Sequence, residues 1–209
     1  IFSKKDEAEI EKFKKENMPE LNDDRFVFFW NNRNARRKQS GSLIFWFKDF
    51  LDVVGRDKAR LIMHTDIKDE HGQDLQAIVE HLGLVDGEVM FSQNKIPAEV
   101  LSMIYNISDC VTDGENWFGV GIEPSSKAII GSQPIPWIYE DRISGKDLVE
   151  AMLKIYNMSE EERAAVGKLG RQHVTNNYNF EKYKNNWEAL LLRVHEEYGS
   201  WENRKGYKK

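Results

Sequence analysis

Three short apolar runs, each followed by polar residues and then by apolar residues at helical spacing, constrain this chain more than any single motif. Arg25-Phe26-Val27-Phe28-Phe29-Trp30 is a continuous run of strand length between polar clusters. Runs of that kind suit strands buried on both faces, as in a parallel sheet. After a basic, polar stretch over 31–41, Leu43, Ile44, Phe47, Phe50, Leu51 and Val54 recur at helical spacing as far as Gly55. Ala59-Arg60-Leu61-Ile62-Met63-His64 predicts a second strand. A helix is expected over 74–82, with Leu75, Ile78, Val79 and Leu82 on one face and Gly83 as its stop. Glu88-Val89-Met90-Phe91 predicts a third strand, and 97–106 a third helix with Pro97 in its first turn. Repetition in units of about thirty residues is the βαβ pattern. The expected fold class is therefore α/β, a doubly wound parallel sheet. In such sheets ligands bind at the carboxyl ends of the strands.

A short charged helix is expected ahead of these units, over 6–17, ended by Met18-Pro19. Beyond Cys110 the rhythm breaks. Asp113-Gly114-Glu115-Asn116 is turn chemistry, and 119–136 reads as irregular, holding three of the five prolines. Helices return over 148–156, over 159–176 and over 180–198, the second opened by the capping box Ser159-Glu160-Glu161-Glu162.

Composition narrows the function classes. Of 209 residues, 40% are hydrophobic, enough for a real core. No apolar run reaches the roughly 18 residues of a membrane span. One cysteine excludes an internal disulfide framework and fits a reducing compartment, so the expected location is cytoplasmic, with peripheral membrane contact left open. A net charge of −5 argues against a surface that binds nucleic acid throughout. The start at Ile1, without an initiator Met, reads as a piece of a longer protein.

Arg33, Arg36, Arg37 and Lys38 put four cations into six residues between the first strand and its helix. Free N–H groups at a helix N-terminus favour an anion. Arginine adds a planar fork matched to phosphate oxygens, and lysine a mobile point charge. The competing readings are a solvated basic loop and a nucleic-acid patch, the latter without interleaved stacking aromatics. His64 ends the second strand on the same edge, as either a structural or a ligand-facing residue. Ser92-Gln93-Asn94-Lys95 follows the third strand and either hydrogen-bonds a base or solvates a turn. Histidines 71, 81, 173 and 195 are scattered without ligand spacing, so no metal site is expected. No G-x-G-x-x-G, G-x-S-x-G or Walker A pattern occurs.

The chain resembles the C-terminal, donor-binding half of a GT-B glycosyltransferase of the retaining, GT4-like type. Phe26-Val27-Phe28-Phe29 followed by Arg33-x4-Lys38 resembles that domain's first strand with its phosphate-binding Arg and Lys. Val89-Met90-Phe91, Ile96-Pro97-Ala98-Glu99-Val100 and Tyr105 to Asp109 resemble the stretch V-x-F-x-G-x-(V/I)-P…L-x-x-x-Y-x-x-A-D. Val111 to Asn116 resembles the I-V-x-D-G-x-N-G turn, and Tyr178-Asn179-Phe180-Glu181 the motif that opens the final helix. Ile1-Phe2 resembles the end of the connection between the two GT-B domains. The basic stretch 32–38 is most similar to virus-encoded or environmental members.

The resemblance implies three parts: an interdomain connection and helix over 1–24, a Rossmann-like nucleotide-sugar domain over 25–176, and a final helix and tail over 177–209. It implies hexosyl transfer with retention from a nucleotide-sugar, GDP-mannose being the favoured donor, without a metal or other cofactor. Arg33 and Lys38 would bind the diphosphate and stabilise its growing charge. Asn34, His64, Ser92, Gln93, Asn94, Lys95 and Ile96 would line the nucleotide. The acceptor, whether glycan, lipid or protein, would be bound by an N-terminal domain, and no nucleic acid is expected.

The chain departs from the family in two places, and one is the stretch 123–142, which is longer than the usual family loop. Between the landmarks at Asp109 and Asp113 the family carries a few dozen residues, among them an E-x7-E carboxylate segment. Glu115 and Glu123 have that spacing but fall after the segment's place, so the pair reads as coincidence. A break between Cys110 and Val111, with a segment missing, is expected instead. Two other classes stay open: a nucleotide-binding scaffold without chemistry, and a nucleic-acid-binding domain on the basic cluster.

Overall fold

The computed structural model describes residues 4–84, 87–109, 119–130, 135–200 and 202–203. Strands β1 (Phe26–Asn31), β2 (Ala59–His64) and β3 (Val89–Ser92) form a parallel sheet in the order β1-β2-β3. Helix α2 (Ser40–Val54) links the first two strands and α3 (Leu75–His81) the second and third. Helices α1 (Glu7–Asn17), α4 (Ala98–Ile107), α5 (Gly145–Tyr156), α6 (Glu160–Asn177) and α7 (Phe180–Tyr198) complete the helical set. The architecture is α/β around a parallel sheet.

Strand side chains alternate between two apolar layers, as a period of two dictates. Phe26, Phe28, Ala59, Leu61 and Met63 face a core built with Ile44, Phe47, Phe50 and Leu51 of α2, Leu75 and Val79 of α3, and Met152 and Ile155 of α5. Val27 and Ile62 face a second cluster with Leu21, joined by Met18, Phe29, Met90 and Ile107. This two-sided burial is why the three strands read as continuous apolar runs.

One charge lies in the second layer. Arg60 is 2% exposed, and its guanidinium donates to the Glu20 carbonyl and to Asp23. It thereby pins the segment between α1 and β1. Burial pushes its pKa down, which Asp23 partly offsets.

After α4 the chain returns to the free edge of β1. The Val27 N–H donates to the Asp109 carboxylate at 2.9 Å, and the Asp109 N–H donates to the Val27 carbonyl at 3.0 Å. The path thus runs outward from β1 to β3 and back to the other side of β1. In open parallel sheets ligands bind outside the carboxyl ends of the strands, here the ends of β1, β2 and β3.

Residues 119–136, expected to be irregular, contribute to a hairpin. Strand β4 (Ser126–Ile129) pairs antiparallel with β5 (Tyr139–Arg142). Ser-Lys-Ala-Ile and Tyr-Glu-Asp-Arg are short and largely exposed, so the buried-strand pattern that marks β1 to β3 is missing. No described helix is long and apolar enough to cross a membrane. The Cys110–Val111 junction, the 113–116 turn, Glu115 and Ile1-Phe2 lie outside the described residues.

None of the described residues of α7 is buried. Phe180, Tyr183, Trp187, Leu190, Leu191 and Val194 form an exposed apolar stripe, with Trp187 at 48% and Leu191 at 60%. The helix is nonetheless well started, since Asn179 accepts from the Lys182 N–H.

Candidate functional site at the carboxyl edge of the sheet

In-register pairing brings Asn31, His64 and Ser92 to the ends of the three strands, side by side. Neighbouring strands lie about 4.8 Å apart, so Ser92 is about 10 Å from the end of β1. His64 Nδ1 and Ser92 Oγ share a hydrogen bond at 2.9 Å, and both residues are half-buried. Thr65, the next residue along, has a buried hydroxyl without a hydrogen-bond partner among the described residues. An unpaired buried hydroxyl is costly, and a water or polar ligand at this edge would satisfy it.

The basic loop after β1 is folded tightly against the loop after β2. Asn34 is fully buried: its Nδ2 donates to the Gln73 carbonyl at 2.7 Å, and its Oδ1 accepts from Ser40 Oγ at 2.6 Å. The Arg36 N–H donates to the His71 carbonyl at 3.1 Å. The Gly41 N–H, in the first turn of α2, donates to Gln73 Oε1 at 3.1 Å. Two glycines make the close approach possible. A Cβ on Gly41 would lie 2.2 Å from Gln73 Oε1, and one on Gly72 would lie 2.1 Å from the Asn34 carbonyl.

These contacts also reset the start of α2. The spacing predicts a helix beginning at Leu43, but it begins at Ser40, preceded by a 3-10 turn at Arg36–Lys38. Gln39 turns the chain at φ 52°, in the left-handed region. Helices α1, α3, α5, α6 and α7 each carry a side-chain cap, whereas α2 and α4 have none of their own, and α2 is the one that follows the basic loop. Gln73, 32 residues away, answers one N–H group of the α2 first turn and leaves its neighbours without a side-chain cap. An uncapped first turn beside a run of cations is favourable for an anion.

The two cations named from the sequence are placed differently. Arg33 is exposed and held by Asp69: Nε and Nη2 donate to the two carboxylate oxygens at 2.6 and 3.1 Å. Arg33 Nη2 also reaches His71 Nδ1 at 3.1 Å. A guanidinium only donates, so the imidazole nitrogen accepts. The Arg33 hydrogen bond, then the His71 N–H, holds the Asp69 carboxyl down at about 2, and the same pair raises the Arg33 pKa. Lys38 is half-buried, and its ammonium has no partner among the described residues.

Gln93, Asn94 and Lys95 are exposed and Ile96 is half-buried, directly after β3 on the same edge. The resemblance puts Asn34 against the nucleotide; burial and its bonds to Gln73 and Ser40 make it a link between loops instead. Glu123 stands exposed in the loop before β4. Sequence reasoning passes over Asp69, Gly72 and Gln73 and weighs His71 only as a scattered histidine. The available signal is their place in a polar segment following His64 at the carboxyl end of a strand.

A cavity of about 330 Å³ opens at this end of β1, lined by Trp30, Asn31, Asn32, Leu43 and Tyr105 among others. Neither Arg33 nor Lys38 lines it. A larger cavity of about 820 Å³ lies at the opposite, amino end of the sheet, around Arg25, Val27, Asp109 and Arg163. There, burial pushes the Asp109 carboxyl up, against the lowering effect of the Val27 N–H and of Arg163. The described residues hold no group of three His, Cys, Asp or Glu placed to grip a metal.

Neither a scan against protein-family models nor a search of curated proteins finds a match to this chain.

Proposed function

We propose that this chain binds the diphosphate of a nucleotide-sugar at the carboxyl edge of its parallel sheet, as the donor half of a doubly wound, GT-B, retaining glycosyltransferase. The observation that supports the reading is the Lys38 ammonium, without a partner among the described residues, just ahead of α2, which lacks an N-cap side chain, in the loop at the carboxyl end of β1. Lys38 and the first-turn N–H groups receive the diphosphate, and Arg33 joins them when its guanidinium is drawn from Asp69. As the glycosidic bond breaks, negative charge grows on the leaving diphosphate, and fixed cations stabilise that charge most at the transition state. Ser92 to Ile96 and His64 border the base and ribose. GDP-mannose is the preferred donor, and the chemistry needs no metal when two cations stand in for one.

The apolar stripe of α7 supports the presence of a neighbouring domain. Contiguous exposed apolar surface marks an interaction site in a folded protein. The N-terminal, acceptor-binding domain of a GT-B enzyme is a neighbour of that kind.

A second reading, nucleotide binding without transfer, is favoured by one fact: Arg33 is already paired and lies off the cavity at the end of β1. Titration calorimetry with GDP, UDP and a short oligonucleotide separates the classes. The proposal expects a nucleoside diphosphate to bind and the oligonucleotide to be inert. Oligonucleotide binding alone, with a steep salt slope, would make the basic loop a nucleic-acid site. Sugar transfer or donor hydrolysis then divides enzyme from scaffold.

A further inference from the structure

Arg33 stands in the loop after β1 with its fork already filled by Asp69. A guanidinium grips a phosphate best through two parallel N–H groups, and a carboxylate presents the same pair of oxygens. Nε and Nη2 both point at Asp69, while Nη2 also serves His71. Only Nη1 is left with no hydrogen-bond partner among the described residues.

The two sides of this pair are unequally held. The Asp69 side chain is 11% exposed, and its Oδ1 also accepts from the His71 N–H at 2.9 Å, fixing it to the loop. The Arg33 side chain is 61% exposed, so the guanidinium is the member free to swing. That loop is in turn locked to the β1 end through Asn34, Gln73 and the close approach at Gly72. The Asp69 carboxyl is ionised at any pH near neutrality, so an anion rather than a proton must release Arg33.

We propose that Asp69 is a built-in competitor for the ligand's diphosphate: its carboxylate holds the Arg33 fork, and an incoming diphosphate binds by drawing Arg33 away. The proposal rests on the reading that Arg33 meets phosphate, and it adds the residue that sets how readily it does so. Affinity is then lower than two free cations would give, and binding loosens the Asp69 end of the loop. Asp69 touches no ligand and acts through Arg33.

The test is calorimetry with inorganic pyrophosphate on four proteins: wild type, Asp69→Asn, Arg33→Ala and the double variant. Asparagine keeps an oxygen for the His71 N–H, so the turn survives. Asp69→Ser, whose hydroxyl accepts from the same position, replaces it if the first variant does not fold. The expected result is that Asp69→Asn binds pyrophosphate at least threefold tighter than wild type, with no gain when Arg33 is already alanine. A purely structural role for Asp69 would give unchanged or weaker binding, and that result overturns the competitor. A gain of equal size in the Arg33→Ala background also overturns it, because the effect would be general charge. If removing Arg33 costs nothing even with Asn at 69, the phosphate role of Arg33 fails as well, a result distinct from the other two.

Discussion

Asn34 and Gly72 meet so closely that the carbonyl of one occupies the space a side chain on the other would need. A Cβ on Gly72 would sit 2.1 Å from the Asn34 oxygen and 2.5 Å from its Cγ. This contact seats the loop after β2 against the basic loop after β1. The placement of the basic loop against the 69–73 loop depends on that seating.

Gly72→Ala should therefore force the two loops apart. Overpacking a close contact costs about 1–3 kcal/mol, and the denaturant midpoint should fall accordingly. Gly167, in the exposed middle of α6, has open space where a Cβ would lie, with nothing within 4 Å. Gly167→Ala should instead gain about 0.5–1 kcal/mol of helix stability. Equal effects at the two positions would contradict the packing described.

The Arg33–Asp69 pair makes a signed prediction for acid. The Asp69 carboxyl is lowered from 3.8 to about 2 by Arg33 and the His71 N–H. A depressed carboxylate contributes stability that is complete above its unfolded value and is lost as pH falls through its folded one. The midpoint gap between wild type and Asp69→Asn should be constant from neutrality to about pH 5. It should then close as pH falls from 3.8 toward about 2. A gap that persists below that range would mean that the pair does not hold in solution.

The stripe on α7 predicts indifference to polar substitution. Trp187 and Leu191 are 48% and 60% exposed, so Trp187→Ser with Leu191→Ser should change stability by less than about 0.5 kcal/mol per site. Self-association of the chain in sedimentation should fall at the same time. A large loss of stability would instead place α7 against the body of the protein.

How far the sequence was legible follows from which signals are local. The three parallel strands and the seven α-helices among the described residues were readable within a few residues, because apolar periodicity and caps such as Ser159 with Glu162 act over neighbouring positions. The hairpin at 126–142 was not, since its strands are short and mostly exposed and lack a buried face. At the site, strand register made the His64 and Ser92 edge readable. The partner of Arg33 lies 36 residues away and that of Asn34 lies 39 away. No spacing rule connects such positions, so Arg33 and Asn34 read as ligand-binding residues without the partners that hold them.

The diphosphate reading turns on Lys38, whose ammonium has no partner among the described residues. Calorimetric titration of wild type and Lys38→Ala with GDP and UDP puts it to the proof. At least one of the two nucleotides should bind wild type, and Lys38→Ala should weaken that binding tenfold or more, about 1.4 kcal/mol. Binding of equal strength in both proteins, or of neither nucleotide to wild type, would remove Lys38 from the site and the diphosphate with it.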